Sequence, residues 1–124
     1  MQSKDPYLNM TSSQERTYFV YVMGGISGTL YIGSTSNLRN RVWQHKNHVF
    51  PGLTSGYAVD RLLYFESYVH ASRVITREKQ LKSWRREKKV ALIKKDNPKW
   101  EDLSREWYNA SEMTIRAVPD STRK

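Results

Sequence analysis

The sequence predicts an α+β domain, a three-stranded antiparallel sheet flanked by helices in the order β-β-α-β-α-α. Three observations lead there. Two runs of aromatic and β-branched residues, "TYFVYVM" and "TLYIGS", are separated by the glycine-rich "GGISG", the composition of a hairpin. A third such run, "DRLLYFESYV", follows a helical stretch, where it can add a strand to that hairpin. Residues 71–95 then keep apolar side chains at helical spacing.

Residues 17–23 and 29–34 form the first two strands and carry Tyr21 and Tyr31, which a short loop brings to one sheet face. Gly33 is read as the residue that lets the chain turn out of the second strand with no side chain in the way. Ser34, Thr35 or Ser36 then caps a helix whose apolar Leu38, Val42 and Val49 recur at helical spacing. Arg41 and His45 are i,i+4 neighbours on that helix and stack on one face. After the break at "PGLTSG", residues 60–69 supply the third strand. Ala71, Val74, Ile75, Leu81, Trp84, Val90, Ala91 and Ile93 set the last helical period, with a break near residues 85–87, so two helices in tandem are expected. "DNPKW" ends them, since the residue before proline disfavours the α region, and "EDLSREW" adds a final helical turn.

The chain has 124 residues, enough for one domain of roughly 100 residues plus tails. Residues 1–16 and 109–124 are polar and aperiodic and are expected to be flexible, which leaves 17–108 as the domain. Lys and Arg total 21 against 12 Asp and Glu, a net charge of +9, and that balance suits a polyanionic partner such as nucleic acid or an anionic surface. There is no cysteine, so disulfides and thiolate zinc sites are excluded and any metal must be held by oxygen or histidine. No stretch reads as a secretory signal or a membrane span, and a soluble, cytoplasmic protein is expected.

Several residues have both a structural and a chemical reading. Tyr21 and Tyr31 make either cross-strand packing or a pair of phenols in a site. Arg41 and His45 make either a solvated basic face or an anion-binding one. Residues 71, 74, 75, 78 and 81 form a helical stripe on which Glu78 alone is charged, and a carboxylate facing a core is costly unless paired or bound to a metal. Glu78 is therefore either half of a buried ion pair, for instance with Arg41, or a ligand of a hard cation such as Mg2+ or Mn2+. Both readings turn it inward. The basic runs "KQLKSWRREKK" and "IKKDNPKW" are either solvated or phosphate-binding, and Arg39, Lys46, Lys82 and Arg85 are the nucleic-acid-binding candidates. Trp43, Tyr57, Trp84 and Trp100 could stack on bases, but Trp84 falls on the apolar stripe, where a core role is favoured. His48 and His70 are assigned to helix termini, outside the candidate site.

"FVYVM", "TLYIGSTSNLRNRVWQH", "TREKQLKSW" and "NPKWEDL", in that order, resemble the GIY-YIG nuclease superfamily. The likeness is to its small stand-alone bacterial branch, related to the nuclease domain of the excinuclease C subunit, and it spans residues 17–105. The second triplet, Tyr31-Ile32-Gly33, is complete, while the first reads Phe19-Val20-Tyr21 and keeps its tyrosine. The resemblance implies a GIY-YIG endonuclease-like fold and divalent-metal-dependent hydrolysis of phosphodiester bonds in DNA. The sequence shows no zinc knuckle, helix-turn-helix or other separate specificity module, so low sequence specificity is expected, and a setting in DNA repair or processing goes with the resemblance; RNA stays open beside DNA, and no small-molecule cofactor is expected. By position, Tyr21 would be general base or water-orienting phenol, Tyr31 would position water or phosphate, and Arg41 would stabilise the phosphate's extra charge. His45 would relay the proton, Glu78 would bind the metal, and Asn97 matches a late asparagine of some members.

The chemistry suits these residue types. A phenol with pKa ~10 accepts a proton near neutrality only with help from a nearby cation, and a guanidinium matches phosphate oxygens in a bidentate way that lysine does not. Two alternatives come from other classes: a non-catalytic nucleic-acid-binding module on the same scaffold, and a small basic protein attached to ribosomes or anionic membranes. The second leaves Glu78 without a reason.

Overall fold

The computed structural model describes residues 16–47 and 59–108. Strand β1 (Tyr18–Gly24) is buried at every position after Tyr18, and a strand whose side chains are apolar on both faces belongs in the middle of a covered sheet. It lies there, with β2 (Leu30–Thr35) and β3 (Arg61–Tyr68) as antiparallel neighbours in the order β2-β1-β3. The expected α+β class and element order are the ones observed, with α1 (Leu38–Lys46) between β2 and β3, then α2 (Ala71–Ser83) and α3 (Arg86–Asp96).

Strand alternation sorts the core into two layers. Phe19, Tyr21 and Met23 face Leu38 and Val42 of α1, together with Leu62 and Trp107. Val20, Val22 and Ile32 face the other way, toward Val74 and Leu81 of α2 and Ile93 of α3. Between Val22 and Met23 the pairing with β3 shifts, from Val22 opposite Tyr64 to Met23 opposite Leu62. The extra residue, Leu63, is a bulge that swings β3 while both flanks stay paired. In the hairpin loop Gly28 N donates to Gly25 O at 3.0 Å, and Gly28 has φ of 90°, which its missing side chain permits.

Four local expectations are corrected. The cap of α1 is Asn37, whose side chain accepts from Asn40 N at 3.1 Å; Ser34 and Thr35 are still in β2, and Thr35 Oγ1 accepts from Asn37 N instead. On α2 only Val74 and Leu81 are buried, while Ala71 is exposed and Ile75 is 51% exposed. A helix resting on one side of a narrow sheet buries a thin seam, so Glu78 lies at the seam's margin. Trp84, at the break between α2 and α3, is half-buried, with the Arg77 guanidinium 5.3 Å and the Lys88 ammonium 4.3 Å from its ring centroid. Residues 103–106 form turns and 107–108 a bend, not a helix, because nearby polar groups are taken up by β3: Leu103 N donates to Leu62 O at 2.8 Å and Leu62 N donates to Asp102 Oδ1 at 3.0 Å.

Val49, His48, Tyr57, the "PGLTSG" break and the two tails, Arg16 excepted, lie outside the described residues. Among the described residues no helix is long and apolar enough to cross a membrane.

Candidate active site

The site is built around the second strand, starting from a residue with no side chain. Gly33 pairs with Tyr21 in mid-strand, and a Cβ added there would lie 2.6 Å from Tyr21 Oη and 2.8 Å from Cζ. This corrects the turn role expected for Gly33. Its bare Cα makes room for a phenol to lie across β2. Tyr31 stands opposite Met23, so it shares the Tyr21 face one diagonal step away.

Helix α1 closes over that face. Leu38 and Val42 anchor it, and His45 follows one turn after Arg41 and is fully buried. Tyr21 Oη and His45 Nε2 are 2.9 Å apart in a hydrogen bond whose donor is set by the imidazole tautomer. Tyr31 packs edge-on against His45, centroids 4.9 Å apart, and lies 6.3 Å from the Tyr21 ring. The aromatic packing and the chemical reading of these residues are thus one arrangement: each ring holds the next in place.

Burial holds the Tyr21 proton on. It pushes the phenol well above its ordinary range, and the charges of Tyr31 and Glu78 push the same way, against the Arg41 guanidinium that pulls it down. Tyr21 is therefore a neutral phenol near neutral pH.

Glu78 lies on the α2 side of the sheet, beside β2. Ser34, the neighbour of Gly33 on the opposite sheet face, donates from Oγ to Glu78 Oε1 at 2.6 Å. Lys82 Nζ is 2.7 Å from Oε2. The ion pair considered with Arg41 is thus made with Lys82, which is four residues along the same helix and reaches the carboxylate without crossing a strand. Burial raises the Glu78 pKa, but the bonds from Lys82 and Ser34 and the Lys82 charge outweigh it and hold the carboxyl below its usual range. An anionic oxygen already carrying an ammonium, with a hydroxyl aiming the group, is a donor set that fits a hard divalent cation. Among the described residues no group of three or more His, Asp or Glu could hold a metal ion.

The cationic candidates divide. Arg39 donates to the Trp107 carbonyl and lies 5.3 Å over the Tyr108 ring, and Lys46 pairs with Asp102 at 2.5 Å while donating to the Asp60 carbonyl; both are engaged in tying residues 102–108 to α1. Lys82 and Arg85 are exposed. Two further cations flank β2: Arg16 donates to Ser36 Oγ at 3.3 Å, and a Cβ on Gly28 would lie 3.6 Å from Arg86 Nη2. Asn97 stands apart from the site: its amide bonds the Leu63 and Glu101 carbonyls and Glu101 N, closing the turn after α3. Sequence reasoning missed Ser34 and Arg16, and placed Arg86 only within a basic run. Ser34 was legible only as a cap, because its partner is 44 positions away.

A family model described as the GIY-YIG catalytic domain matches residues 17–91. A UPF0213 protein of Clostridium perfringens is 31% identical over 88 residues, covering 71% of this chain and 95% of that relative. A UPF0213 protein of Staphylococcus aureus is 32% identical over 78 residues, 63% of this chain and 95% of its own length. Among solved structures, the solution NMR structure of a UPF0213 protein from Bacillus halodurans matches with a TM-score of 0.48 and 20% identity, over 75% of this chain and 99% of that one.

Proposed function

The chain belongs to the GIY-YIG family, and on that premise we propose that it is a metal-dependent endonuclease that hydrolyses phosphodiester bonds in DNA with low sequence specificity, in cytoplasmic DNA repair or processing. What supports this reading is the hydrogen-bonded Tyr21–His45 pair packed against Tyr31 and Gly33, on the helix that carries Arg41, with Glu78 held by Ser34, the residue next to Gly33. Glu78, aimed by Ser34, would hold one Mg2+ or Mn2+, which when bound supplies positive charge to the leaving oxygen.

The side chains do the rest. Because Tyr21 is neutral, it acts in a relay: as the attacking water gives a proton to Tyr21 Oη, the phenol passes its own to His45 Nε2 across the 2.9 Å bond. No free phenolate has to exist in the buried site. Arg41 spreads two N–H donors over the non-bridging oxygens as their charge grows. Tyr31, half-buried at the opening, keeps the imidazole turned toward Tyr21. Lys82, Arg85, Arg86 and Arg16 would contact phosphates, which carry no base identity, hence the low sequence specificity.

Purified protein incubated with plasmid, single-stranded and branched DNA in Mg2+ or Mn2+ tests the reading. Cleavage is expected, lost in Glu78→Ala and Arg41→Ala, and Arg41→Lys should be nearly as damaging because it loses the fork geometry. Cleavage that survives Glu78→Ala or Arg41→Ala overturns the assignment. Salt-sensitive DNA binding without cleavage under any metal would favour the non-catalytic binding module instead.

A further inference from the structure

Glu78 and Lys82 share one face of α2, and the two oxygens of the carboxylate have unlike partners. Oε1 accepts a neutral hydrogen bond from Ser34, a residue fixed within β2. Oε2 faces the Lys82 ammonium, carried on a flexible stem whose side chain is 55% exposed, against 21% for Glu78. An ammonium that is itself largely exposed is held weakly and screened by salt, so a competing cation can take Oε2 while Ser34 keeps the carboxylate aimed. The other half-buried carboxylate of the sheet has no such opening: Glu66 is gripped by both Nε and Nη2 of Arg77 and by two phenols.

We propose that Lys82 is a resident stand-in for the divalent cation: it occupies Glu78 Oε2 in the metal-free protein and is displaced when metal binds, which frees its ammonium, one turn from the site, for the phosphate backbone of the substrate. This rests on reading Glu78 as a metal ligand. The two binding events are then coupled, and the coupling is reciprocal. Metal releases a cation for the nucleic acid, and a phosphate that draws Lys82 away opens Oε2 to the metal. While neither is present, Lys82 neutralises a carboxylate that is four-fifths buried.

The test uses the full chain without nucleic acid and has two readouts. In the first, Mn2+ is titrated into wild type, Lys82→Met and Glu78→Gln, and loss of the free-ion EPR signal is followed. Lys82→Met should bind about two- to five-fold tighter than wild type at low salt, with the gap narrowing as salt rises, and Glu78→Gln should abolish the site. In the second, the Lys82 Cε resonance of wild-type protein is followed by NMR during a Mg2+ titration, and it should move toward that of a free lysine along the metal-binding curve. The second readout needs no substitution to fold, and it separates displacement from the mere removal of a nearby charge. Mn2+ binding that depends on Glu78 while the Lys82 resonance stays put, or Lys82→Met binding no tighter than wild type, overturns the stand-in and leaves the metal reading intact. Absence of any Glu78-dependent Mn2+ binding overturns both.

Discussion

Glu66 and Glu78 are both carboxylates beside α2, similarly shielded at 15% and 21% exposure, and both are held below the usual carboxyl range. They differ in what occupies their oxygens. Glu66 accepts from Tyr64 at 2.5 Å, from Tyr68 at 2.6 Å and from the Arg77 fork at 2.9 to 3.2 Å, and Arg77 is itself bound to Gln80 and lies over Trp84. Every lone pair on that carboxylate has a donor that other contacts fix in place. Glu78 has one fixed donor, Ser34, and one loose one, Lys82. A shifted pKa is therefore a poor guide to function in this protein, because a carboxylate closed in by fixed donors and one with a replaceable partner shift alike. The replaceability of the partners is what separates them.

The sharpest way to break this contrast is to remove each charge in turn. Glu78→Gln is expected to lower DNA cleavage by about 100-fold or more, the scale of losing a bound cation's charge stabilisation, while stability in urea unfolding moves by no more than about 0.5 kcal/mol, because the Lys82 partner is largely exposed and Gln keeps an acceptor for Ser34. Glu66→Gln should do the reverse. Its stability, measured by urea unfolding, should fall by about 1.5–3 kcal/mol as Arg77 and two phenols lose a charged acceptor, with cleavage by the folded fraction unchanged. Equal effects of the two substitutions in either assay would erase the distinction.

Ser34→Ala probes the one fixed donor of Glu78. It should reduce cleavage about ten-fold and raise the metal concentration required, as the loss of a ligand-orienting partner does, with little effect on the melt. The smallest effect is in acid. A carboxyl held lower in the fold than in the unfolded chain adds stability above its unfolded pKa and loses it as pH falls through its folded value. Unfolding scans should therefore show stability declining below about pH 4.5, the ordinary glutamate value. Glu66→Gln should flatten that decline visibly and Glu78→Gln only slightly, since the knot around Glu66 binds the charge through more donors.

Much of the chain was legible without coordinates. Periodicity and glycine placement located the three strands and three helices of the described residues, because each follows from local preference and from burial patterns within a short window. Nearness in sequence also explains why Arg41 and His45 could be paired on one face, and why Tyr21 and Tyr31, joined by a short loop, could be assigned a common side of the sheet. The break between α2 and α3 was visible as an interruption of the apolar period. The five proposed site residues were singled out from the same patterns and from the family resemblance together.

What the tertiary structure alone decided depends on distances between segments far apart in the chain. The purpose of Gly33 is one case: in sequence it looks like a place to turn, and only the register with β1 shows a phenol lying where its side chain would be. Ser34 is another, since nothing local distinguishes a helix cap from a hydroxyl that aims a carboxylate 44 positions on. Arg39 and Lys46 looked as free to meet phosphate as Lys82 does, until residues 102–108 were seen to take them up. The physical reason is common to all of these. Backbone preference and side-chain periodicity act over a few residues and are written in composition, whereas the partner that fills a lone pair or a void is chosen by packing, which sums over the whole fold.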